Sequence, residues 1–190
     1  MTDLLTKYNW ISVGLLVGII ILAHFFTTDS YDWKSNTISE LAAQNYQYRW
    51  IMKIGFILFG GIIAAGITNK ILSGNGKLIT ELPILIYGLA ILVSGLYSTK
   101  PIVSGIDYLE LESQIHSYSA QIAGAAFSIG LLIHGITETN PNLKIIHFST
   151  FAFVVGLSAL FGIMENNNGI IQRIMYVGSF VWLTFYYNRI

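Results

Sequence analysis

A few positions in this chain join a reactive side chain to a setting where polarity is costly. Thr37 and Glu40 stand three apart in SNTISELAAQNYQYRW. That is the spacing of a capping box, in which the hydroxyl accepts from a backbone amide and the carboxylate reaches back to the cap. His116 lies just inside an apolar stretch, after a loop carrying Asp107, Glu110 and Glu112. A histidine there suits a general base, a metal ligand or a pH sensor. Arg173 sits about a turn and a half into the last apolar stretch, where an unpaired guanidinium costs on the order of 3 kcal/mol. It needs a partner, and an ion pair with Glu165, Glu40 or Asp107 is expected.

Together these positions predict a polar pocket built from Ser35, Asn36, Ser39, Glu40, His116 and Arg173, with Glu165 at its edge, which binds a lipid headgroup or a small polar ligand. The same residues admit a hydrolytic reading, with His116 as base, Asp107 or Glu40 orienting it and Arg173 holding an anion. Ser39, Ser117 and Ser119 offer hydroxyls, but no G-x-S-x-G elbow is present. Each residue also has a plainer role: Glu40 as a cap, His116 as a hydrogen-bond partner of a neighbouring helix, Arg173 in an ion pair. Transport ranks last, because the apolar stretches carry no carboxylate at mid-depth.

The elements that must position these groups are membrane helices. Of 190 residues, 54% are hydrophobic and 11% charged, against about 25% charge in ordinary soluble domains. A hydrocarbon core of about 30 Å needs about 20 apolar residues. Six stretches meet this, at 9–27, 49–70, 79–99, 114–137, 143–164 and 169–187. Open sheets cannot live in lipid, so residues 1–190 are expected to form one all-α membrane domain, a bundle of six transmembrane helices. A short interfacial helix from Ile38 to Tyr46 is expected between the first two. Small residues at four-residue spacing, Gly14 with Gly18, Gly61 with Ala65, and Ala120, Gly124 and Ser128, are expected where helices approach closely, the last set marking the fourth span as central.

Six spans put both ends on one side. Asp29, Asp32, Glu40, Asp107, Glu110, Glu112 and Glu165 then share the opposite side, leaving Asp3, Glu81 and Glu138 on the terminal one. The Lys/Arg count is tied, Lys7, Lys70, Lys77, Lys144 and Arg189 against Lys34, Arg49, Lys53, Lys100 and Arg173. Because Lys53 and Arg173 lie inside helices, the termini are read as cytoplasmic. The first stretch follows Lys7 but precedes no A-x-A site, so it is read as a retained span.

Ten basic and ten acidic side chains cancel, leaving no field for nucleic acid. Membrane lipids are the expected partners. The absence of cysteine excludes disulfides and thiolate-held metals. Four histidines raise the question of haem. His116 and His134 are 18 residues apart on one helix, a rise of about 27 Å, so paired haems would sit at the headgroups rather than in the dry core. No H-x-x-x-H pair occurs, and only His24 and His116 meet at one depth among candidates for a three-histidine zinc site. No cofactor and no metal site is expected.

With WKSNTISELAA, IGFILFGG, QIHSYSAQIAGAAF and GIIQR in this order, the chain resembles the family catalogued as domain of unknown function 998. The specific parts are S-x-x-x-S-E-L (Ser35, Ser39, Glu40, Leu41), the histidine opening the fourth span (His116) and G-x-x-Q-R (Gly169, Gln172, Arg173). The resemblance implies a six-helix protein of a prokaryotic plasma membrane. It singles out one membrane face and supplies no chemistry.

Overall fold

The computed structural model describes residues 7–187, apart from the side chain of Glu165. Asp3 and Arg189, counted above for orientation, lie outside the described residues. Within them the chain is all helical, with no strand. The six α-helices are α1 Tyr8–His24, α2 Arg49–Leu72, α3 Leu78–Leu96, α4 Glu110–Thr137, α5 Pro141–Phe161 and α6 Asn168–Phe185.

Four of them, α2 to α5, are long and apolar enough to cross a bilayer. The two outer helices are shorter: α1 has 17 residues and α6 has 18. The first stretch stops short of the expected residue 27 because His24 Nδ1 bonds back to the Ile20 carbonyl at 2.7 Å, while Phe25 and Phe26 close turns on Leu22 and Ala23. Elsewhere turn chemistry sets the ends. Asn140 accepts from the amides of Asn142 and Leu143, with Pro141 opening α5.

Helices adjacent in sequence pack against each other, and α6 returns to α1, closing a ring. Aromatic rings fill its middle: Phe59 of α2, Tyr87 of α3, Phe127 of α4, and Phe180 and Trp182 of α6, with successive centroids 5.0 to 5.9 Å apart. Edge-on and tilted contacts of this kind add to the area that large rings bury. The outside is apolar as well, with Ile21, Ile54, Ile122, Ile145 and Val177 all exposed. A surface of that kind belongs against lipid. Helix α5 buries the fewest residues of the six, His147 and Val154.

Two expectations need correction. The small-residue sets do not mark close approaches: a methyl at Gly14, Gly18 or Gly124 would meet nothing within 4 Å, and Ala65 and Ala120 are exposed. The intimate contact lies one residue away, on the α2–α3 seam, where Gly60 faces the backbone of Gly88 and Leu92, and Gly95 faces Ile57 and Phe56. Spacing identified a stripe, but two stripes ran side by side on α2, and only packing chose between them.

The helix expected over Ile38–Tyr46 shrinks to a 3-10 turn at Ser39–Ala42. It ends because Ala43 is extended and Asn45 adopts a left-handed backbone (φ 62°). Ile38, Leu41, Ala42 and Ala43 are each no more than 2% exposed. The segment is therefore a plug pressed onto the bundle mouth. Trp33, Tyr48 and Trp50 around it are exposed, as aromatics at a membrane–water boundary are.

Candidate functional site

On the loop face the plug segment ties two polar clusters. The first gathers around Arg173. Its guanidinium donates to the carbonyls of Trp33 (2.8 Å), Asn36 (3.0 Å) and Gly169 (2.8 Å), to the Tyr31 hydroxyl (2.6 Å), and to His24 Nε2 (2.9 Å). Because His24 accepts there, its own proton is on Nδ1, which the Ile20 carbonyl takes. The expected ion pair is absent among the described side chains: Glu40 and Asp107 do not reach Arg173, and the Glu165 side chain lies outside the described set. Every partner of this cation among the described residues is neutral. Burial pushes the Tyr31 hydroxyl above its ordinary pKa, with Arg173 pulling the other way.

The same loop supplies the start of α6 with a cap made of backbone. The Gly169 amide donates to the Ser35 carbonyl and the Ile170 amide to that of Lys34; Gln172 accepts from the Ile38 amide at 2.6 Å. These satisfy helix-end donors that would otherwise be orphaned. A side chain at Gly169 would run into the carbonyls of Trp33, Lys34 and Asn36. S-x-x-x-S-E-L and G-x-x-Q-R are thus two halves of one clasp.

Glu40 forms the expected capping box. It accepts from the Thr37 amide (2.6 Å) and hydroxyl (2.9 Å), while its own amide donates to Thr37 Oγ1 (3.3 Å). Its second oxygen takes the Asn36 side-chain amide, so Glu40 reaches Arg173 only through the Asn36 backbone. The Ser35 hydroxyl donates to Asp32. The Lys34 amide, before that hydroxyl, holds the Asp32 carboxyl below its ordinary range. The Ser39 hydroxyl makes no hydrogen bond among the described residues.

The second cluster surrounds His116, which is 3% exposed. Its Nδ1 bonds the carbonyls of Ser94 (2.8 Å) and Tyr97 (3.0 Å), the free carbonyls at the end of α3. Lys53 caps the same end through Leu96 and Ser98, with Glu112 at 3.6 Å. Gln44 pairs both ways with Leu109, and Asn45 holds the Asp107 carbonyl. No hydrogen bond or ion pair among the described residues joins His116 to Asp107, Glu40 or Arg173. The predicted pocket residues thus fall into two clusters, with segment 35–45 between them.

The deepest polar cluster lies on the opposite, terminal face. Glu81, 1% exposed, pairs with Lys70 at 2.6 Å and accepts the Tyr187 hydroxyl; Lys70 also lies over the Tyr187 ring. Beside them the rings of His134 and His147 are 5.6 Å apart, and Trp182 donates to His147 Nδ1 at 2.8 Å. Counting acids by side concealed this cluster. The signal for it was local: Lys70 and Glu81 flank the short SGNGK turn, and His134 and His147 flank TNPN. Among the described residues no three His, Asp or Glu converge as metal ligands.

Sequential apolar helices, with polar side chains drawn to the two ends, define a helical membrane protein. The chain belongs to the family described as Protein of unknown function (DUF998), matched over residues 11–187. No curated protein and no solved structure matches it.

Proposed function

We propose that the chain is a six-span integral membrane protein whose loop face binds the phosphate of a membrane lipid headgroup, or a small anion of the same chemistry, at Arg173. The observation that carries this is the neutral partner set of Arg173 among the described residues. A guanidinium held by carbonyls, a hydroxyl and a neutral imidazole is fixed in place yet keeps its full charge. At headgroup depth the available counter-charge is a phosphate, which arginine recognises with charge-assisted hydrogen bonds. The exposed Trp33, Tyr48 and Trp50 around the plug support that depth. The sequential ring of helices supports six spans, α1 and α6 being short ones that a locally thinned bilayer accommodates. Both ends then share one side, read as cytoplasmic.

Hydrolysis has less support. His116 Nδ1 is committed to two carbonyls, and neither Asp107 nor Glu40 touches it.

The test uses delipidated protein and reads thermal stability with phosphatidylglycerol, phosphatidylcholine or inorganic phosphate added. Phosphatidylglycerol should stabilise most, and Arg173→Gln should lose that increment. Stabilisation by free phosphate alone would assign the site to a soluble anion. No stabilisation by any of the three, or an increment that survives Arg173→Gln, would sink the proposal.

A further inference from the structure

The terminal-face histidines do something the loop face does not. Trp182 is a donor only, so the bond it makes fixes His147 as a neutral ring with a bare Nδ1 and its proton on Nε2. That Nε2 lies 3.8 Å from Glu138 Oε2. Glu138 sits just beyond α4 at the membrane edge, and the Asn140 amide, seconded by that of Thr139, holds its carboxyl below the ordinary range. It is an anion pointed at a buried imidazole.

A proton arriving at His147 has one nitrogen left to bind. It must take the Nδ1 lone pair, and that sets N–H against the indole N–H. The bond between α5 and α6 is then lost, while Nε2–H and Glu138 become an ion pair. His134, whose Nε2 is buried without a hydrogen-bond partner, packs against both the His147 and the Trp182 rings. Its proximity admits one charge to the pair rather than two.

Nothing larger fits. His134 and His147 are 1% exposed and Trp182 and Tyr187 are 0% exposed. The charges facing the pair come from every neighbouring element. Lys70 of α2, though paired with Glu81 of α3, opposes a charge on His134; Tyr187, which interacts with Tyr8 of α1, is engaged by Glu81; Glu138 favours a cation, and most directly on His147.

We infer that His147, beside His134, is a proton-binding site reached from the terminal face through Glu138, and that its protonation releases α5 from α6 by breaking the Trp182–His147 hydrogen bond. Helix α5 is suited to be the released element, since His147 and Val154 are the residues it buries.

The test uses full-length protein in nanodiscs with the exposed Trp10, Trp33 and Trp50 changed to Phe, so that Trp182 supplies the one indole N–H resonance. From about pH 8 to about pH 4.5, the range in which histidines titrate, that resonance should leave its hydrogen-bonded position while helical circular dichroism stays constant. Glu138→Gln removes the stabilising anion and should lower the midpoint by on the order of one pH unit. The inference is overturned by an indole resonance that does not move, by a midpoint that Glu138→Gln leaves in place, or by a shift that coincides with loss of helix.

Discussion

The two ends of the bundle solve the problem of polar groups near lipid in opposite ways. At the terminal end Glu81 and Lys70 are an opposite-charge pair closed over by Tyr187, and all but Lys70 are fully buried. At the loop end Arg173 has its donors satisfied by neutral groups, and its charge is left without a counter-ion among the described side chains. A closed ion pair contributes to holding the fold, because removing one member strands the other in a poor dielectric. A cation satisfied in geometry but not in charge remains able to attract something from outside.

If that contrast is right, the largest effect belongs to the closed end. Glu81→Ala should destabilise by about 3 kcal/mol, measured by thermal or denaturant unfolding in detergent, and Lys70→Met in the same chain should restore much of it. A cost under about 1 kcal/mol would mean that the pair is solvated after all. Next is the clasp. Arg173→Ala removes five hydrogen bonds and should cost on the order of 2 kcal/mol; protease cleavage within residues 28–38 should rise several-fold, and Arg173→Lys should recover the charge but not the ordered loop.

His116 separates structure from chemistry. His116→Leu should lose about 1–2 kcal/mol by freeing the carbonyls at the end of α3, whereas His116→Asn, whose amide N–H can stand where Nδ1 does, should retain most of it. Equal losses would show that the bonds to Ser94 and Tyr97 are not what the residue contributes. The smallest effect is on pH. The Asp32 carboxyl is lowered in the folded chain, so its contribution is present above the ordinary aspartate pKa and fades as pH falls through the depressed one. Protection of the Lys34 amide, its exchange relative to the intrinsic rate at the same pH, should therefore fall only below about pH 4, and Asp32→Asn should abolish that dependence.

How much of this was readable in the sequence depends on whether the information was local. Helix positions followed from apolar length, and the Thr37–Glu40 box from its spacing. The family's order of motifs was visible too. That S-x-x-x-S-E-L and G-x-x-Q-R grip each other was not, since residues 38 and 172 meet only through the ring closure of α1 on α6. Nor could the sequence tell that Arg173 prefers carbonyls to carboxylates, because backbone acceptors have no letter code. Gly60 rather than Gly61 at the α2–α3 seam is the same lesson: one residue rotates a helix face by about 100°, and spacing is blind to it.

The unequal helices have a mechanical consequence for the bilayer. At 1.5 Å per residue, α1 is about 25 Å long and α4, with 28 residues, about 42 Å. The two shortest helices, α1 and α6, are neighbours. In a six-span arrangement the lipid annulus is then lopsided, compressed beside α1 and α6 and relaxed beside α4. Headgroups sink on the compressed flank, and that is the flank on which Arg173 sits. Under the proposed function, the bilayer would bring phosphates down to the arginine as much as the protein lifts the arginine towards them.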